Sequence, residues 1–268
     1  MSSNGDLPTF DTLTRIVAQL RSPGGCPWDR EQTHQSIRNY LLEECYEALQ
    51  ALDQGEPQKL RDELGDILLQ VLLHSQIAAE AGEFTIDDVV AGLVRKLIRR
   101  HPHVFGDDHA STADEVETNW EAIKKKEVGR KSVLEGVPQQ MPALAYSHSI
   151  HRRAANAGFD WVDMDGVMDK LTEEVAEFQE AGSREEQEEE IGDVLTTLVN
   201  VGRKLGLDLE AALRKANQKF YLRFSSMEKL CSERGIELRE LSPSQQEELW
   251  EEVKAMIAEE KGNGGPAP

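Results

Sequence analysis

Three cysteines, Cys26, Cys45 and Cys231, are all that 268 residues contain. They are widely spaced and form no Cys-x-x-Cys pair. Neither a disulfide framework nor a cysteine zinc site is therefore expected. Aromatic residues are also scarce, at 6%. No apolar run approaches the length that spans a bilayer. Met1–Pro8 lacks the basic-then-apolar pattern of a secretion signal. β-Branched alternation punctuated by turn dipeptides is missing too, which leaves strands a minor part of any fold. These absences describe a cytoplasmic protein with reduced thiols and no membrane partner.

Positive charge is the other shortage. Thirty Lys and Arg stand against fifty Asp and Glu, a formal net charge of −20. That field repels nucleic acid and anionic membrane surfaces, so direct nucleic-acid binding is not expected. It repels phosphate esters as well, unless a divalent cation offsets the acids locally.

What is plentiful is Glu, Leu and Ala, all good helix formers, and the 39% hydrophobic content is adequate for a core. Apolar residues recur at helical spacing: Leu42, Cys45, Leu49 and Leu52; Leu64, Leu68 and Val71; Val167, Leu171, Val175 and Phe178; Ile191, Leu195, Leu198 and Val201; Leu209, Leu213 and Phe220. An all-α fold is expected. The length suits one large domain or two ordinary ones.

The acids favour two, because they come twice. Residues 43–47 read Glu-Glu-Cys-Tyr-Glu and residues 63–66 Glu-Leu-Gly-Asp. Residues 173–177 read Glu-Glu-Val-Ala-Glu and residues 190–193 Glu-Ile-Gly-Asp. Flanking blocks repeat in the same order: Cys26-Pro27-Trp28-Asp29 against Gly158-Phe159-Asp160-Trp161, Ala81-Gly82 against Leu205-Gly206, and Arg95-Lys96-Leu97 against Gln218-Lys219-Phe220. We read an internal duplication. It gives a first domain over 9–128, a linker over 129–143 containing Pro138 and Pro142, a second domain over 144–260, and a disordered tail over 261–268. A helix is expected around Glu115–Lys126, before the linker.

Residues three or four apart share a helix face. Glu44 and Glu47 are therefore neighbours, as are Glu174 and Glu177, Glu63 and Asp66, and Glu190 and Asp193. If the two helices of each copy run antiparallel, four carboxylates converge. Such groups repel one another unless a cation lies between them. Mg²⁺ takes oxygen ligands and keeps waters that phosphates can replace. One such cluster alone reads as a solvated surface, and most of Glu185–Glu190 is that. Matched repetition favours a duplicated metal site. Di-iron bundles use Glu-x-x-His, which these clusters lack, so redox iron is disfavoured. Glu173 points further out and suits a base or a group that orients water. Lys219 and Arg223 share a face that is either an ordinary basic surface or a phosphate clamp. Trp250, beside Leu249, is either a core residue or a platform for a base. His101-Pro102-His103 reads as a turn closing a helix, and Cys26-Pro27-Trp28 as a packed loop.

Glu-Glu-x-x-Glu followed by Glu-x-x-Asp resembles the signature of the MazG family of all-α nucleoside triphosphate pyrophosphohydrolases. The resemblance extends through Gly25-Cys26-Pro27-Trp28-Asp29-Arg30-Glu31-Gln32-Thr33, His101-Pro102-His103-Val104-Phe105, Gly136-Val137-Pro138, Pro142-Ala143-Leu144 and Lys215-Ala216-Asn217-Gln218-Lys219-Phe220. It covers roughly residues 10–258. It implies two tandem MazG-like helical-bundle domains completed by dimerisation. It further implies Mg²⁺-dependent hydrolysis of nucleoside triphosphates between the α- and β-phosphates, with Mn²⁺ as an alternative ion. The products are a monophosphate and pyrophosphate, in nucleotide-pool housekeeping or stress-linked nucleotide control. The implied metal ligands are Glu174, Glu177, Glu190 and Asp193, with Glu44, Glu47, Glu63 and Asp66 as a second set. Asn217, Lys219, Arg223 and Trp250 match nucleotide contacts. Glu173 or Glu174 would orient the attacking water. The second domain is the implied catalytic unit, because the first has Val94 in place of Asn217, although it keeps Lys96 and Arg100. Members usually carry Lys ahead of Gly158-Phe159, where this chain has His148, Arg152 and Arg153. A non-catalytic nucleotide sensor and an alarmone hydrolase stay open as alternatives.

Overall fold

The computed structural model describes residues 8–112, 115–116, 119–120, 123 and 132–262. Among them every regular element is helical and there is no strand, as the apolar spacing requires. No helix among these residues is long and apolar enough to cross a membrane. The chain divides into two compact units between Arg130 and Lys131.

Unit 1 comprises α1 (Phe10–Arg21), α2 (Pro27–Glu31), α3 (Arg38–Gln54), α4 (Pro57–Glu80), α5 (Ile86–Arg100) and α6 (Pro102–Phe105). Local chemistry sets their starts. The Thr9 hydroxyl accepts from the Thr12 amide, Pro57 opens α4 where no amide partner is needed, and Thr85 and Asp88 cap α5 reciprocally. The long helices α3 and α4 pack together as a hairpin. Val17, Ile37, Leu72 and Leu73 form the buried centre, with Leu13, Leu68, Leu69, Ile77 and Ile86 around them. Arg21 pins the segment between α1 and α3. Its guanidinium meets the Glu80 carboxylate at 2.8 Å and donates to the carbonyls of Asp29 and Gln32. In place of the expected packed loop, Cys26 precedes α2 and Pro27 and Trp28 are exposed in its first turn, whereas His101 closes α5 as expected, its Nδ1 lying 2.7 Å from the Leu97 carbonyl.

The same segment is joined to α4 by two imidazoles. The Nδ1 atoms of His34 and His74 are 2.7 Å apart in rings parallel within 5°. The ring planes are therefore closer than a ring's thickness, so the rings meet edge to edge with one proton between them. Burial, and then the neighbouring His34, push the His74 pKa below its ordinary value of 6.5. A depressed histidine stabilises the fold fully above the unfolded value and loses that contribution as pH falls through the folded one. Thermal melts should accordingly show the unit 1 transition falling as pH drops below 6.5, and His74→Leu should flatten that slope. An unchanged slope in the variant would remove the imidazole pair as its source.

Unit 2 comprises α7 (Ala143–Asn156), α8 (Met164–Glu180), α9 (Arg184–Lys204), α10 (Leu209–Arg234), a short 3-10 turn at Leu238–Glu240, and α11 (Pro243–Gly262). Asp163, Ser183 and Asp208 cap α8, α9 and α10. The hairpin α8–α9 packs against α7, and α10 packs against α11. Met227, Cys231, Leu249 and Val253 form the α10–α11 core. The loop before α8 is tied to the end of α9. Asp160 lies 2.5 Å from Arg203 and 3.3 Å from Lys204.

The duplication is visible in how equivalent helices stop. At the end of α4, the Glu83 amide donates to the Ala78 carbonyl over Gly82, whose φ is +73°. At the end of α9, the Leu207 amide donates to the Gly202 carbonyl over Gly206, φ +67°. Both are left-handed closures that glycine adopts without strain. The helices differ in length, 24 residues in α4 and 21 in α9.

Within the expected linker, residues 132–142 form turns and α7 begins at Ala143, while 129–131 lie outside the described residues. The helix expected at Glu115–Lys126 is seen at 115–116, 119–120 and 123; its other positions are not among the described residues. At the expected tail, α11 runs through Gly262, and 263–268 lie outside the described residues.

Candidate functional site

Each hairpin carries acids on the facing sides of its two helices. In unit 1, one carboxylate oxygen each from Glu44 on α3 and Glu63 and Asp66 on α4 lie within 4.8 Å of one another. In unit 2 the same holds for Glu174 and Glu177 on α8 and Glu190 on α9. Of each expected foursome, three residues come together. Glu47 lies outside the first group and Asp193 outside the second, each a helical turn from a member, Glu44 and Glu190 respectively.

The groups are electrostatically strained. Glu63 is only 8% exposed and Glu174 only 5%. Burial pushes the Glu44 carboxyl up, as do Asp66, Glu47 and Glu63 in turn. Burial raises Glu63 too, followed by Glu47, with Lys59 opposing. Glu190 is raised by burial and then by Glu177, Glu174 and Asp193. Every cause at Glu44 and Glu190 disfavours the charged form, so both would be relieved by a cation. The donor set is all carboxylate oxygen, with no His or Cys in either group. That chemistry fits a hard divalent ion such as Mg²⁺ or Mn²⁺ and not zinc.

The units differ in one residue that the acid pattern alone does not reveal. In unit 2 the Lys170 ammonium lies 2.6 Å from Glu173 and 2.8 Å from Glu174. Hydrogen bonds to Glu173 and then Glu174 hold its pKa well above the ordinary lysine value. The available signal was spacing: Lys170 stands one turn before Glu174 on α8. The position one turn before Glu44 holds Tyr40, an uncharged residue. Glu173 is exposed and outside the metal group, its carboxylate taken by Lys170.

The residues expected to touch a nucleotide sit on α10 and α11. Asn217 and Lys219 are exposed on α10. Arg223 lies over the Trp250 ring, 5.9 Å from its centroid, and Phe220 lies 5.6 Å from the same ring. Trp250 also packs on the α10–α11 core, so one ring serves both packing and a cation–π contact. No hydrogen bond or ion pair among the described residues joins these four to the acids. Ahead of α8, Phe159 is 81% exposed and Val162 99% exposed.

An all-α protein with one carboxylate group in each of two repeated hairpins is the class these features define. The family model described as the MazG nucleotide pyrophosphohydrolase domain matches residues 32–105 and again 164–226. The chain belongs to the MazG family. It is 47% identical over 247 residues to the nucleoside triphosphate pyrophosphohydrolase/pyrophosphatase MazG of Thermotoga maritima, covering 91% of this chain and 95% of that one. Similarity to the nucleoside triphosphate pyrophosphohydrolase of Escherichia coli K12 is 43% over 254 residues, 91% of this chain and 97% of the relative. The protein of the same description from Mycobacterium tuberculosis is 49% identical over 145 residues, 53% of this chain and 44% of its own length.

Proposed function

We propose that this chain hydrolyses nucleoside triphosphates between the α- and β-phosphates, releasing monophosphate and pyrophosphate, with Mg²⁺ as the working ion, in cytoplasmic nucleotide-pool control. The observation that carries this reading is the carboxylate group of unit 2, with buried Glu174 at its centre and Lys170 on it. The names borne by the relatives from Thermotoga maritima and Escherichia coli support the same activity.

A bound divalent cation supplies positive charge against the phosphate oxygens as negative charge shifts in the transition state. Glu174, Glu177 and Glu190 would hold it, with Asp193 a turn away as a fourth donor. Glu173, exposed beside Glu174, orients the attacking water and accepts its proton, or Glu174 does so. Lys170 exchanges a carboxylate for a phosphate oxygen. Lys219 and Arg223, one turn apart, clamp the triphosphate, Asn217 adds a neutral contact, and Trp250 presents its ring to the base. In unit 1, Tyr40 and Val94 stand where unit 2 has Lys170 and Asn217, which favours a binding role over a catalytic one for that unit.

A second copy of this chain completes the bundles. The apolar stripes of α5 (Val89, Val90, Leu93, Val94) and α9 (Ile191, Leu195, Leu198) are exposed within their own units, which supports this pairing. Sedimentation should then give twice the 30.0 kDa chain mass.

The direct test is product analysis with each triphosphate and Mg²⁺. Monophosphate and pyrophosphate are expected in equal amounts. Diphosphate and orthophosphate would place the cleaved bond elsewhere. Tight nucleotide binding without turnover would favour the sensor, and exclusive turnover of an alarmone would redirect the substrate.

A further inference from the structure

The two carboxylate groups share their chemistry but not their surroundings. In unit 2 an ammonium already contacts one acid of the group, Glu174. Lys170 lies 2.8 Å from Glu174, whose side chain is 7% exposed, and 2.6 Å from Glu173. Ion pairs at open surfaces contribute little, but burial of one partner strengthens the attraction. An incoming cation competes with this lysine for the Glu174 carboxylate.

Unit 1 has no such occupant. Tyr40 stands at the matching place, and its ring is engaged edge-on with Trp28, centroids 6.1 Å apart. No ion pair reaches Glu44, Glu63 or Asp66 among the described residues. One carboxylate oxygen each from Glu44, Glu63 and Asp66 lies within 4.8 Å of the others. Lys59 is near enough to act on Glu63 but forms no ion pair with it. A divalent ion entering this group relieves repulsion and displaces no cation.

We infer that the two units load their ions under different conditions: unit 1 takes a free divalent cation without nucleotide, whereas unit 2 takes its ion only together with a triphosphate. This rests on reading both groups as metal sites. The phosphate chain supplies the new partner that Lys170 needs before it releases Glu174, so ion and substrate enter unit 2 as a pair. Lys170 thereby acts as an internal counter-ion that keeps the catalytic group from holding an ion idle. The ion of unit 1 is then resident whether or not nucleotide is bound.

The test counts Mn²⁺ bound to the intact chain, from the spin-resonance signal of the free ion. Without nucleotide, one tight ion per chain is expected. Asp66→Asn, at an exposed carboxylate, should remove it, and Glu190→Gln should leave it in place. Lys170→Met should add a second ion, or tighten the weak one about tenfold or more, while Lys170→Arg should keep it out. A non-hydrolysable triphosphate analogue should bring the second ion to the unaltered chain. Two equal ions without nucleotide, loss of the tight ion in Glu190→Gln but not in Asp66→Asn, or no effect of Lys170→Met would each overturn the ordering. Those results leave the metal reading standing. Absence of any bound Mn²⁺, with or without the analogue, would sink both.

Discussion

Glu190→Gln should lower triphosphate hydrolysis by roughly 10²–10³-fold while making the ion-free protein more stable, not less. The two effects have opposite signs because one carboxylate serves two states. Glu190 is one of three carboxylates with oxygens within 4.8 Å of one another, which in the proposed site hold the ion when substrate is present. Its charge is needed there, and the amide keeps the shape but not the charge. Without an ion, burial and the charges of Glu177, Glu174 and Asp193 push its pKa up. A group raised in the folded state gains stability as pH falls through the folded pKa, so its ionised form is a burden at neutral pH. Gln removes that burden. Turnover and thermal melting of the same preparation, measured near pH 7.5, check both signs. A variant that loses activity and stability together has lost its fold, and one that keeps full activity removes Glu190 from the site. The corresponding change at Glu63 in unit 1 should leave turnover within about twofold if unit 2 carries the chemistry.

Gly25→Ala should destabilise unit 1 by about 3 kcal/mol, the larger of the stability effects expected from a single methyl group. A Cβ at Gly25 would lie 2.2 Å from the Leu20 carbonyl oxygen and 2.3 Å from that of Gln19. Neither oxygen can move aside. The Leu20 carbonyl accepts from the Cys26 amide at 2.7 Å and the Gln19 carbonyl from Ser22 at 3.1 Å. The segment from Ser22 onward must therefore shift, and with it the contacts of Arg21 to Asp29 and Gln32. Gly24→Ala is the control. A Cβ there meets nothing within 4 Å, and its φ is not positive. Chemical unfolding should move the unit 1 transition in the first variant and neither transition in the second. Equal, small shifts in both would mean that the segment yields easily.

The helices were legible because their determinants are local. Apolar residues every three or four positions define the stripes. The duplication was legible because the same local signals recur in order. The acids were legible as neighbours because Glu44 and Glu47, or Glu190 and Asp193, must share a helix face. Less was readable where two helices decide together. Three carboxylates of each foursome meet within 4.8 Å, while Glu47 and Asp193 act on members of their groups from beside them. Lys170 did not stand out among the lysines until its contacts with Glu173 and Glu174 were seen. Trp250 lies against the α10–α11 core with Arg223 over its ring, a meeting of two helices that spacing along one of them does not contain.

By itself, then, the sequence determined an all-α chain, repeated once, with each repeat carrying its carboxylates on one helical face. Covalent spacing sets those features, and 3.6 residues per turn suffices to deduce them. Only the tertiary structure decided which carboxylates meet across each hairpin, and that an ammonium contacts Glu174 in one group while no ion pair reaches the other among the described residues. Those facts depend on how closely two helices approach and at what rotation. The packing of side chains such as Val167 and Val199 controls both, and no count along the chain contains them.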